Sequence, residues 1–174
     1  PMPMVPNNPD PLVTPETENN LFSMVVNATE DFVITGGVVF NKIGDNNAAT
    51  SLDNATATVT VNGDADVALG TVNTSDNDIV GLNVVNNGTG MVSLTLDSTV
   101  AGYDAADALS FTGGPIALTI VGNVDLSNDN LSGVDQITIQ GNSTLTITQA
   151  QFDALTAAGL FYSRGLKEAP GSAV

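Results

Sequence analysis

The chain has 174 residues, 42% of them hydrophobic but only 5% aromatic, and its three basic residues face 19 acidic ones for a formal net charge of −16. That balance repels nucleic acid and anionic membranes. With no cysteine and no histidine, disulfides, ordinary zinc sites and every histidine-based catalytic triad are excluded.

The apolar residues are mostly Val, Leu, Ile and Ala, separated by Asn, Thr, Asp and Gly. Aliphatic runs of this kind build thin stacked layers, and the residues between them favour turns and strands over helices. An all-β fold is expected. No uninterrupted apolar run approaches the ~18 residues that span a bilayer, so no membrane insertion is expected. Pro1-Met2-Pro3-Met4 has neither the basic start nor the apolar stretch of a signal peptide, and a chain beginning with proline reads as processed or as a fragment.

Residues 1–20 carry Pro1, Pro3, Pro6, Pro9, Pro11 and Pro15. Proline lacks an amide donor and fixes φ, which predicts an extended arm suited to reaching a neighbouring subunit. From residue 21 to 159 the chain reads as a repeat domain. Short alternating strands are punctuated by Gly36, Gly63, Gly88, Gly113 and Gly141, at intervals of about 25 residues. That interval is one coil of a parallel β-helix, a solenoid in which aliphatic side chains of successive coils form interior ladders. Asn62-Gly63 and Asn87-Gly88 are also hairpin turn signals, which leaves an antiparallel β-sandwich as the alternative.

Near the end, Thr148 and Gln151 form a capping box, and Ala150, Phe152, Ala154, Leu155 and Ala158 are spaced as the apolar stripe of a short helix over about 149–158, stopped by Gly159. Such a helix would cover the last coil and keep an open sheet edge from templating aggregation. Residues 160–174 read as a tail.

Without His or Cys only carboxylate chemistry remains, and sugar-cleaving solenoids need Arg or Lys, which are absent between residues 43 and 163. The chain is therefore not expected to be an enzyme, and no catalytic residue is assigned. The one constellation with chemical promise is acidic: Asp64 with Asp66, Asp76 with Asp78, and Asp125 with Asp129. Closely spaced hard oxygen ligands suit calcium. Neither an EF-hand loop nor the Gly-Gly-x-Gly-x-Asp nonapeptide occurs, and the competing reading is that Asp and Asn here simply make turns. Sequons at Asn27, Asn54, Asn73, Asn87 and Asn142 are of a number that chance supplies in a chain so rich in Asn and Thr.

The stretch Gly122-Asn123-Val124-Asp125-Leu126-Ser127-Asn128-Asp129-Asn130-Leu131-Ser132-Gly133-Val134-Asp135-Gln136-Ile137-Thr138-Ile139, followed by Leu145-Thr146-Ile147-Thr148-Gln149-Ala150-Gln151-Phe152-Asp153-Ala154-Leu155, resembles segments of large repeat-rich bacterial surface proteins, the S-layer proteins and secreted adhesins. The resemblance implies export to the cell surface, self-assembly and calcium-dependent order. The expected function is a structural subunit of an extracellular surface layer or filament, a homo-oligomer or polymer joined through solenoid ends and the proline-rich arm. An adhesin or carbohydrate-binding module contacting a surface glycan is the second expectation, and a phage or virion fibre segment the third.

Overall fold

Strict alternation of apolar and polar residues makes one face of each strand seek a core, and the chain satisfies this by passing back and forth between two sheets. The structure is a computed structural model that describes residues 22–40, 55–74, 79–100 and 108–158. The proline-rich arm, Gly159 and the tail lie outside the described residues.

The first sheet contains β1 (Phe22–Asn27), β4 (Ala55–Asn62), β6 (Ile79–Asn86) and β8 (Ala108–Gly113), in that spatial order. In the second, β2 (Phe32–Val33), β5 (Val67–Thr74), β7 (Val92–Asp97), β9 (Ile116–Val121) and β11 (Val134–Ile139) follow one another, with β3 (Val38–Phe40) also on β5. A small third sheet pairs β10 (Asn123–Asp125) with β12 (Thr144–Thr146). Every pairing among the described residues is parallel.

The fold is thus all-β with one short helix, and the antiparallel sandwich is overturned. Asn62-Gly63 and Asn87-Gly88 do not close hairpins: each carries the chain from a strand of the first sheet to one of the second. A hairpin would pair the strands on either side of the turn antiparallel, whereas here each strand pairs in parallel with one a full pass away, which needs a long crossover.

Parallel register sets like residues above like. Met24, Val59, Val84 and Phe111 form one inward column, and Ala57, Leu82 and Leu109 another. Across from them stand Val67, Val92, Ile116 and Val134, then Leu94, Leu118 and Ile137, then Leu96, Ile120 and Ile139. From Ala57 onward these side chains are buried and join one core. Each buried Val, Leu or Ile contributes about 1.5–3 kcal/mol relative to exposure.

The 25-residue spacing holds only in the middle. Corner bonds link residues 35 apart at the first pass, 25 apart at the second, and 20 or 21 apart near the end. The glycine register expected from sequence fails accordingly at both extremes. Gly63 and Gly88 do pack in one column, but it begins at Ala28, not at Gly36, and continues at Gly114, not at Gly113, which lies over Asn86, while a side chain at Gly141 would meet nothing.

Helix α1 (Gln149–Ala157) has the expected capping box: the Gln151 amide donates to Thr148 Oγ1 at 3.2 Å, and the Thr148 amide donates to Gln151 Oε1 at 2.7 Å. Its expected apolar stripe is not inward. Leu155 alone is buried, while Ala150, Phe152, Ala154 and Ala158 are exposed. The contact is instead partly polar, because Gln151 Nε2 donates to the carbonyls of Leu126 and Asp129 at 2.7 and 2.9 Å.

Candidate functional site

Where the chain leaves the first sheet for the second, short polar segments lie one above another: residues 27–31, 62–66 and 87–91. Asn is suited here because its amide both donates and accepts. Asn62 Nδ2 donates to Asn27 Oδ1 at 2.8 Å, and Asn87 Nδ2 donates to Asn62 Oδ1 at 3.0 Å. A second ladder runs beside it, with the Asp66 amide on Asp31 Oδ1 at 3.1 Å and the Met91 amide on Asp66 Oδ1 at 2.8 Å. Asp64 accepts from Thr89 Oγ1 at 3.0 Å. Each bond ties one pass of the chain to the next.

Two of the candidate calcium ligands, Asp64 and Asp66, therefore sit in this one corner, each holding a donor from the following pass. Asp125 and Asp129 share a turn at the other end of the domain. Asp76 and Asp78 lie outside the described residues. The structure does not bring the described four together, and among the described residues no group of three or more His, Cys, Asp or Glu could hold a metal ion.

Asp125 and Asp129 titrate in opposite senses. The hydroxyl and amide of Ser127 hold the Asp125 carboxyl below its ordinary range. Burial pushes Asp129 up, against the bond from the Leu109 amide at 2.9 Å and with help from the charge of Asp125. A carboxyl whose folded value is raised costs stability as pH climbs from the ordinary carboxylate range through that raised value; Asp125 acts the other way and loses its contribution as pH falls. Asp129→Asn keeps an oxygen for the Leu109 amide and removes the charge. Its thermal midpoint is expected to exceed that of the parent at pH about 7, and the difference to vanish below pH about 3, where both side chains are neutral.

Asn86 is the residue that reading for chemistry missed. It is the sole buried polar side chain among the described residues, 1% exposed. In register it stands in the inward column between Val61 and Gly113. Its Nδ2 donates to the carbonyls of Gly90 at 2.8 Å and Pro115 at 3.0 Å, and its Oδ1 accepts from the Gly88 amide at 3.0 Å. One side chain thus satisfies backbone groups of its own corner and of the next. The signal was present in the alternation Leu82, Val84, Asn86, which puts the asparagine on the inward face. Asn86→Ala leaves those buried groups unpaired and is expected to cost about 2 kcal/mol, read from urea unfolding with an unchanged slope.

The sequon asparagines Asn27 and Asn87 are rungs of the amide ladder, and Asn142 is exposed between β11 and β12. Among the described residues no helix is long and apolar enough to cross a membrane. Chemically the corner is a column of amide and carboxylate staples that couples successive passes. Comparison with protein-family models, with curated proteins and with solved structures finds no match for this chain.

Proposed function

We propose that the chain is a β-solenoid, each pass through the two sheets forming one coil, and that it serves as a structural module of an extracellular, cell-surface assembly such as a surface layer or filament. The observation that supports this reading is the parallel register, interrupted only at single bulges, in which inward aliphatic columns and corner ladders recur from one pass to the next. Such stacking yields a rod whose stability is a sum over neighbouring coils, suited to bearing load and to presenting a repeated surface. The net charge of −16 keeps that surface soluble and favours cationic or calcium-bridged contacts.

A second reading, an adhesin that binds a glycan, draws on the outward face of the second sheet. Thr71, Thr95, Thr119 and Thr138 stand there in register, a row of hydroxyls spaced by the strand separation of about 4.8 Å.

Labelling of intact producing cells with an antibody to the chain, followed by native mass measurement of the released particles with calcium and with a chelator, tests the proposal. Surface label and particles larger than one chain support it, and particles that fall apart on chelation assign the contacts to calcium. Label confined to the cell interior overturns it. A surface-located single chain retained on a glycan array moves the assignment to the adhesin.

A further inference from the structure

The two ends of the described β region are unlike. At the C-terminal end the inward Ile137 and Ile139 keep only 2% and 5% of their surface, and Leu155 of α1 joins the same core. At the N-terminal end Met24, Val26 and Ile34 are only partly buried, and Val25, Phe32 and Val33 are exposed by 59%, 47% and 68%. An open groove of about 570 Å³ lies there, lined by apolar side chains such as Met24, Phe32 and Ile34 and, at its corner, by Glu30 and Asp31.

Sheet edges are ordinarily guarded by lysine, proline, a bulge or very short length. Strand β1 ends the first sheet among the described residues and has none of these. Its sequence, FSMVVN, carries no charge and no proline, and its six residues pair with β4 without a break in register. The Ala28 amide donates to the Asn62 carbonyl at 2.8 Å. Alternate residues of a parallel strand serve alternate neighbours, so the amides and carbonyls of Ser23, Val25 and Asn27 point away from β4, toward the side where no described strand lies.

We infer that this edge binds a second copy of the chain, β1 against β1 in antiparallel fashion about a two-fold axis. The inference rests on the solenoid reading above. Outward-pointing groups pair when Val25 faces Val25 of the second copy and Ser23 faces Asn27, which sets the two exposed valines together as an apolar cross-strand pair. A contact of an edge with itself closes after two subunits. At the other end Gln151 holds the carbonyls of Leu126 and Asp129, so part of that face is already occupied.

Charge opposes any pairing of two copies, and this arrangement keeps the acidic groups well separated. Two bodies of net charge −16 repel, so a contact must keep acids apart. In the two-fold register the two Asn27 residues are about 13 Å apart at 3.3–3.4 Å per residue. The acidic corners beyond them, with Glu30 and Asp31, are farther apart still, more than the Debye length of about 8 Å at physiological salt.

Sedimentation of the full chain over a range of concentrations, at low and at raised salt, tests the inference. A two-chain species is expected, strengthened by salt because the general repulsion is screened. Val25→Pro removes one outward amide and no bond to β4, a substitution an edge strand accepts. It is expected to weaken pairing at least tenfold with an unchanged circular dichroism spectrum, whereas Val25→Thr retains pairing. A single chain at every concentration and salt, a species larger than two, or a pair indifferent to Val25→Pro overturns the inference. So does pairing seen only after residues 1–20 are deleted, which assigns the edge to the preceding segment. Cell-surface labelling is indifferent to all of these outcomes, and a species larger than two overturns this pairing while still supporting an assembly, so the two proposals fail separately.

Discussion

Gly88→Ala is expected to cost at least about 3 kcal/mol and to lower the thermal midpoint by roughly 10 °C. A Cβ at Gly88 would lie 1.7 Å from the carbonyl oxygen of Gly63 and 2.8 Å from its carbon. Both are backbone atoms of the preceding pass, so no side chain can turn aside to make room. The column is continuous: a Cβ at Gly63 would meet the Ala28 oxygen at 1.9 Å, and one at Gly114 the Gly88 oxygen at 2.3 Å. To admit a methyl group the two passes must separate, and the Asn87 amide would then lose the Val61 carbonyl, now 2.8 Å away, together with the side-chain bond to Asn62. Gly141→Ala is the control. It adds a Cβ at a positive φ of 61° with nothing within 4 Å, so it bears backbone strain alone, about 1 kcal/mol. Calorimetry of the two variants separates the effects, and a Gly88→Ala midpoint no lower than that of Gly141→Ala contradicts the stacked corner.

Phe111→Ala is expected to destabilise the chain by about 3–5 kcal/mol. Phe111 is completely buried and is the largest of the fully buried side chains. It ends the inward column that runs through Met24, Val59 and Val84. In a core otherwise made of valine, leucine, isoleucine and alanine among the described residues, no neighbour is long enough to collapse into the space a benzyl group leaves. Phe111→Leu retains most of the volume and is expected to cost under about 1.5 kcal/mol. Thr112→Ala, one residue along on the outward face, is expected to stay within about 0.5 kcal/mol. Urea denaturation followed by far-ultraviolet dichroism ranks the three, and equal effects at 111 and 112 contradict the inward assignment of Phe111.

The corner explains why the acidic residues were easier to find than to interpret. Asp64 and Asp66 stand one residue apart as calcium ligands often do, but in the structure each accepts a donor from the next pass, one from Thr89 and one from the Met91 amide. A sequence shows the spacing of carboxylates along the chain. It does not show which donors arrive from 25 residues away, and those donors compete with a cation for the same oxygens. Asn86 illustrates the converse, since its inward position follows from alternation but its three backbone partners follow only from the stacking of corners.

Alternation in Val92–Asp97 and Ile116–Val121, the Asn, Thr, Asp and Gly between aliphatic runs, and the Thr148–Gln151 box were sufficient by themselves to determine an all-β domain with one capped helix. These are local properties, written in side-chain period and in hydrogen bonds three residues apart. The direction of strand pairing was decided only in three dimensions. Asn-Gly serves a tight hairpin and a corner equally well, because both need a compact turn, and the choice depends on whether the next strand finds its partner beside it or one pass away. The unequal passes, which put Ala28 and not Gly36 under Gly63, and the inward turn of Leu155 alone from α1 were likewise settled by packing, where core volume and unpaired carbonyls at the end of the sheet outweigh the regularity of the repeat.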